Sequence, residues 1–204
     1  MKAAVLFSGG KDSALTSILL EPFFEVELVT LDYGHHNTTK VAEKTAEVLG
    51  FSHRTVLFER EILEEALQML LSTGYPKDAL NYVHRCAVET LAQENEFVAD
   101  GTKREDRVPM IGQNEVRSLE DRLGVHYIRP LAGYGSKTIN LLASNYMEFE
   151  MLPSESYPAS DFEVGLRQAL EGRCGPETVA EIFPTNHMHS RVIRRKGFEH
   201  KNQR

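Results

Sequence analysis

The feature that most narrows the fold is the passage from Ala3-Ala4-Val5-Leu6-Phe7 directly into Ser8-Gly9-Gly10-Lys11-Asp12-Ser13. A short continuous apolar run is what a strand buried on both faces requires. The residues from Asp12 to Leu20 have helical character, so the loop joins a buried strand to a helix start. Two glycines permit positive φ and let backbone approach an anion closely. The helix aims unpaired N–H groups, and roughly half a positive charge, at the same place. Lys11 adds a full charge, and Ser8 and Ser13 add hydroxyls. The plainer alternative is a Gly-Gly turn carrying a solvated Lys-Asp pair; the position between strand and helix favours a phosphate cradle.

The loop is not of the Walker A type. That motif needs glycine where Val5 stands, and it needs Ser or Thr after the lysine, where Asp12 stands. A carboxylate in a phosphate site implies a Mg²⁺ ion or a capping role.

Strand and helix patterns then alternate, the signature of a parallel sheet covered on both faces. Further strands are expected at Val26 to Leu31, Thr55 to Phe58, Phe97 to Ala99 and His126 to Ile128. Helices are expected from Asn37 or Thr38, either placed as a cap, to Leu49, where Gly50 stops the helix. They are expected again at Glu61 to Leu71, Ala79 to Leu91, Glu115 to Leu123 and Lys137 to Tyr146. After that, Phe162 to Leu170 and Val179 to Phe183 look helical, on either side of a Gly175-Pro176 break. In such sheets ligands sit beyond the C-terminal strand ends. That brings Ser8 to Ser13, Asp32 to His36, Asp100 to Arg107 and Arg129 to Lys137 to one edge.

A chain of 204 residues with 41% hydrophobic and 26% charged residues suits one sizeable domain or one domain with an appendage. The expected division is an α/β domain over 1–150 and a helical extension with a basic tail over 151–204. No run approaches the 18 or more apolar residues that span a bilayer, and the apolar N-terminal run is too short for a signal peptide. Cys86 and Cys174 form no metal pattern and no disulfide framework, which fits a reducing, cytoplasmic setting. The net charge of -7 argues against coating nucleic acid non-specifically. However, His189 to Arg204 holds six basic residues against Glu199. That tail is either a solvated end or an arm that contacts RNA phosphates.

The loop resembles the PP-loop of the ATP pyrophosphatases, or adenine nucleotide α-hydrolases, whose SGGxDS pattern has every fixed position filled here. Over its whole length the chain looks most like small archaeal PP-loop proteins described as tRNA methyltransferase or thiouridylase subunits. The resemblance implies a Rossmann-like α/β/α fold with a five-stranded parallel sheet. It also implies Mg-ATP as substrate, with cleavage between the α- and β-phosphates and adenylation of an acceptor, with a tRNA base as one candidate. It further implies that backbone at Leu31-Asp32 meets the adenine, and that Gly101-Thr102 and the segment Arg129-Pro130-Leu131 to Lys137 border the site.

Ser8, Gly9, Gly10 and Ser13 are then expected on the phosphates. Lys11 would neutralise the leaving pyrophosphate. Asp12 and Asp106 would hold Mg²⁺, with Arg104, Arg107 and Lys137 as further phosphate contacts. For Arg104 to Arg107 the competing reading is a surface ion-pair network. His35-His36 and His187 with His189 read more readily as loop residues than as metal ligands. Cys86 reads as a buried small hydrophobe, and Cys174, between glycines and beside Arg173, as an exposed thiol. Two other functions compete: an ATP-dependent ligase or amidotransferase acting on a small metabolite, and a non-catalytic ATP-binding subunit. The apolar helices from Glu61 to Leu91 suit either a homodimer interface or the chain's own core.

Overall fold

Ala3, Ala4 and Val5 have no exposed surface, because the strand that contains them, β1 (Lys2–Leu6), is the middle strand of a sheet. The computed structural model describes residues 1–34, 39–153, 160–183 and 188–197. His35, His36, Asn37, Thr38, His187, Glu199, Lys201 and Arg204, to which the sequence reading assigned roles, lie outside the described residues.

Five strands form the parallel sheet: β1, β2 (Glu25–Asp32), β3 (Ser52–Leu57), β4 (Phe97–Ala99) and β5 (His126–Ile128). Their order is β3-β2-β1-β4-β5, all parallel, so strand order reverses at β1. The expected α/β/α architecture is thus the observed one. Each expected strand is present, with β1 starting one residue earlier and β3 three residues earlier than the apolar pattern suggested.

Alternation along β1 and β2 divides the core into two layers. On one side, Ala4, Leu6, Val29 and Leu31 pack against α3 (Arg60–Thr73), α4 (Lys77–Ala92), α5 (Gln113–Leu123) and α7 (Phe162–Cys174). On the other, Val5, Phe7, Val26 and Leu28 pack against α1 (Lys11–Leu20), α2 (Lys40–Leu49) and α6 (Ser136–Tyr146). Burying a residue such as Leu28 contributes about 2 kcal/mol. Ala66, Leu67, Leu70, Leu80 and Val83 are buried within this chain, which assigns the apolar faces of α3 and α4 to its own core. Glycines in the left-handed conformation end α2, α3 and α5 at Gly50, Gly74 and Gly124. No helix among the described residues is long and apolar enough to cross a membrane.

The sequence reading missed a two-stranded antiparallel ribbon, β6 (Met147–Pro153) with β7 (Met188–Arg195). β6 follows α6 with no intervening turn, so no break residue announced it. Its Met147, placed where the helix ends, is fully buried. β7 takes in the first half of the basic tail, so residues 189–195 are not a frayed end. Arg195 bonds the carbonyl of Leu49 at 2.9 Å, pairs with Glu21 and lies over the Phe51 ring. Arg194 pairs with Glu148 at 2.6 Å and Arg191 with Glu150 at 3.4 Å. Cross-strand charge matching makes this run a strand rather than an arm. The expected boundary at 150 falls inside β6. The segment beyond it is not purely helical, since β7 lies there with α7 and α8 (Pro176–Ile182).

Candidate nucleotide-binding site

The loop between β1 and α1 has the conformation its residues call for. Gly9 sits at φ +79°, and a Cβ there would come within 3.1 Å of Ala42 backbone. Gly10 caps α1 without a side-chain bond, so the first amides of the helix are offered to a partner. Ser8 and Ser13 bring their hydroxyls within 3.4 Å of each other, and Ser13 donates to the Gly10 carbonyl. One first-turn amide is already engaged: Lys11 N donates to Ser190 Oγ of β7 at 2.9 Å.

A cavity of about 180 Å³ opens beside the loop on the α4–α7 side. Ser8, Asp12, Ser13, Leu31, Gly101, Thr102 and Asp106, all expected site residues, line it. Gly101 is packed so tightly that a Cβ would lie 2.7 Å from Ser13 N and 2.8 Å from the Asp12 carbonyl carbon. Thr16 ties the same junction by donating to the Asp100 carbonyl. Asp32 instead borders a small neighbouring recess with Tyr33, Ser160 and Asp161.

Charge at the mouth is arranged around Asp12. Its Oδ1 is 2.5 Å from Lys11 Nζ and its Oδ2 is 2.9 Å from Lys103 Nζ. Lys103 also reaches Asp106 Oδ1 at 2.7 Å, while Asp106 Oδ2 accepts the Lys103 amide. Burial pulls the Lys103 pKa down, but the charge of Asp12 and the bonds to Asp106 and Asp12 more than offset it, leaving it above the ordinary lysine value. The two carboxylates expected to hold a divalent cation thus converge on one point, now held by an ammonium. That donor set suits Mg²⁺ once the lysine swings aside.

Three expected phosphate contacts lie elsewhere. Arg104 is exposed, 3.7 Å from Glu105, and Arg107 and Lys137 are exposed and outside the cavity lining. The Arg129–Lys137 segment meets the Arg104 amide through the Tyr134 carbonyl, and Glu105 through the Ser136 amide. It therefore braces the loop after β4 rather than the phosphate loop. Cys86 is half-buried, with burial pushing its thiol up despite a Tyr82 hydrogen bond. Cys174 is exposed.

Several residues prove to matter without having been assigned a role. Asp100, expected at this edge, is buried just after β4. Its Oδ1 takes the amide and hydroxyl of Thr102 at 2.9 and 2.7 Å, and its Oδ2 takes the Tyr127 hydroxyl and His84 Nε2, the latter at 2.9 Å. Burial alone would raise the Asp100 pKa; His84, Tyr127 and Thr102 together hold it below the usual value. Ser160 N bonds the Ser8 carbonyl, and Asp161 Oδ1 caps α7 through the Val164 amide at 3.0 Å. His84 carried a readable signal: it is the one polar residue at a core-facing position of an otherwise apolar helical stripe, Ala79, Leu80, Val83, Ala87, Val88 and Leu91.

The five-stranded sheet, its reversal at β1 and the SGGKDS loop at that point define a PP-loop protein of the adenine nucleotide α-hydrolase type. Comparison with known proteins places it further: residues 1–194 match a family of unknown function, DUF7411, and the chain belongs to that family. It is 40% identical to the uncharacterized protein MJ0690 of Methanocaldococcus jannaschii, over 95% of this chain and 96% of that protein. Among solved structures it is similar to one described as a predicted subunit of tRNA methyltransferase, also from Methanocaldococcus jannaschii. That chain has a TM-score of 0.87 and 40% identity, with 97% of this chain and 98% of that one covered. NMN synthetase from Francisella tularensis shares the fold at a TM-score of 0.50 and 18% identity, covering 71% of this chain and 60% of that one.

Proposed function

We propose that this protein binds Mg-ATP across the loop Ser8–Ser13, cleaves it between the α- and β-phosphates, and transfers AMP to an acceptor. The observation that carries this reading is the convergence at one cavity mouth of the α1 N-terminus, Lys11, Lys103, Asp12 and Asp106. The N–H groups and the two ammoniums suit the charge that develops on a departing pyrophosphate. Asp12 and Asp106 are the residues to hold Mg²⁺, which when bound makes the reacting phosphorus more electrophilic. With Mg²⁺ on those carboxylates, Lys103 and Lys11, which bond them here, would be available to the phosphates. Leu6, Val29 and Leu31 give the cavity an apolar wall suited to an adenine ring.

A tRNA base is the candidate acceptor, on the strength of the 40%-identical protein described as a predicted subunit of tRNA methyltransferase. Arg191, Arg194 and Arg195 each hold a carboxylate within the chain, so contact of this strand with RNA phosphates would exchange those pairs. Incubation with α-labelled ATP, Mg²⁺ and total tRNA tests the reading. Labelled AMP and free pyrophosphate are the expected products, and ADP would overturn it. Intact ATP after long incubation would favour the non-catalytic subunit.

A further inference from the structure

α2 packs against β7, with Ala42, Ala46, Leu49 and Val192 in the same core layer. A groove of about 410 Å³ opens between the two elements. Lys40 and Lys44 stand on its α2 wall, one helical turn apart, and Arg191 stands on its β7 wall. Its floor is apolar: Val48 and Ile193 line it with 42% and 48% of their surface exposed.

The charge of the groove is opposite to that of the chain. The sequence carries a net charge of -7, yet three cations line the groove against one carboxylate, that of Glu47. Neither Lys40 nor Lys44 has a hydrogen-bond or ion-pair partner among the described residues, and both are exposed. Arg191 pairs with Glu150 at 3.4 Å, with both side chains exposed. A pair of that kind is weak and readily exchanged for another anion. Lysines on a helix surface are ordinary by themselves; these two share a groove with a guanidinium and an apolar floor.

That combination selects the occupant. Residues four apart on a helix have Cβ atoms about 5–6 Å apart, a separation suited to neighbouring phosphates of one strand. The apolar floor accepts ribose and base surface, which an inorganic anion lacks. Position favours RNA over an acidic peptide. Val41, on the α2 wall, has its Cγ1 within 3.1 Å of where a Cβ on Gly9 would lie. Ser190, next to Arg191, accepts the Lys11 amide. The groove therefore starts beside the phosphate loop and runs about 12 Å along α2 from Lys40 to Val48.

We propose that this groove holds the backbone of an RNA strand, with Lys40, Lys44 and Arg191 each taking a phosphate, and so leads a nucleotide of that strand to the phosphate loop. The inference rests on the RNA acceptor proposed above. Contacts of this kind position a strand without reading its sequence.

Two experiments test it. Binding of labelled total tRNA is measured from about 50 to about 200 mM salt, for the unsubstituted protein and for a variant combining Lys40→Gln with Lys44→Gln. The variant should bind about 10-fold more weakly near 0.1 M salt, and the slope of log affinity against log salt should be shallower by about 1.4, at about 0.7 per lost contact. Its binding of a fluorescent ATP analogue should not change. An unchanged affinity and slope overturn the groove and leave the RNA acceptor standing. Loss of ATP binding as well means that the substitutions disturb the loop, which also overturns the groove. Failure of the unsubstituted protein to bind tRNA overturns the acceptor and the groove together. The second experiment needs no variant: ultraviolet crosslinking of bound tRNA should mark peptides from α2 and β7, and crosslinks confined to other elements overturn the proposal. Displacement of the tRNA by polyglutamate as efficiently as by RNA of equal charge would make the groove an acidic-peptide site and overturn it too.

Discussion

The amide of Lys11, in the first turn of the helix that follows the phosphate loop, donates to the hydroxyl of Ser190, 179 positions further along the chain. Ser190 Oγ therefore stands where a phosphate oxygen would accept from the same N–H. The ribbon β6–β7 is thereby coupled to the loop, and an anion bound at this amide would share or displace the bond.

Ser190→Ala removes an acceptor from an amide that water or an anion can then reach. We expect a stability loss of about 1 kcal/mol, the usual worth of one hydrogen bond. Pyrophosphate should bind more tightly, by about 5-fold if the whole of that bond had competed. Urea midpoints and calorimetric titration with pyrophosphate measure the two effects. Weaker binding in the variant would mean that Ser190 assists the anion instead of competing with it.

Gly101→Ala tests the closeness of the loop after β4 to the start of α1. The added methyl meets Ser13 N at 2.7 Å and Asp12 C at 2.8 Å, both backbone atoms that cannot rotate away. The cost is that of overpacking, about 1–3 kcal/mol, and the displaced first turn should lose nucleotide binding. Thermal unfolding together with binding of a fluorescent ATP analogue reads both; a variant with unchanged affinity would separate Gly101 from the site.

What the chain discloses before folding follows from how local each signal is. β1, the loop and α1 are adjacent in sequence, so an apolar run, two glycines and a helical pattern revealed them together. The parallel sheet was nearly as legible, because each of its strands holds an apolar stretch set off by helices, although the polar Ser52-His53-Arg54 hid the start of β3. The Asp100–His84–Tyr127 group is different in kind. Its members come from the end of β4, the middle of α4 and the middle of β5, and only packing brings them into contact. Lys103 was hidden in another way: in Lys103-Arg104-Glu105-Asp106-Arg107 both signs are dense, and nothing local says which cation turns inward. β7 was read as tail because its Arg191, Arg194 and Arg195 find their carboxylates on β6 and at Glu21 just past α1, far off in sequence. Arg104, Arg107 and Lys137 are expected on phosphate from their charge and their place after β4 and β5, and neither fixes the direction of a side chain.

Lys103→Met removes the ammonium that joins Asp12 to Asp106. These groups are only partly buried, so solvent screening limits the stability loss to about 1 kcal/mol. The larger effect is on the cation: two carboxylates converging without a lysine between them should bind Mg²⁺ more tightly in the absence of nucleotide. Mg²⁺-dependent thermal shifts of the variant and the unsubstituted protein measure it. An unchanged or weaker response would show that Asp12 and Asp106 are not the metal's ligands.

Asp100 sets an acid limit to stability. Its carboxyl has a lower pKa folded than unfolded, because the bonds from His84, Tyr127 and Thr102 outweigh burial. The unfolded chain therefore takes up its proton first as pH falls. The stabilisation from Asp100 is complete above the ordinary aspartate value and is lost as pH drops through that value towards the lowered folded one. Asp100→Asn removes this slope. At neutral pH the substitution also sets an amide N–H₂ or a weaker acceptor against the Nε2–H of His84 and the Tyr127 hydroxyl, costing about 2 kcal/mol. The gap between the two proteins should thus be widest near neutrality and narrow in acid. Urea unfolding of both across that range provides the measurement, and a gap independent of pH would show that Asp100 does not change its proton on folding.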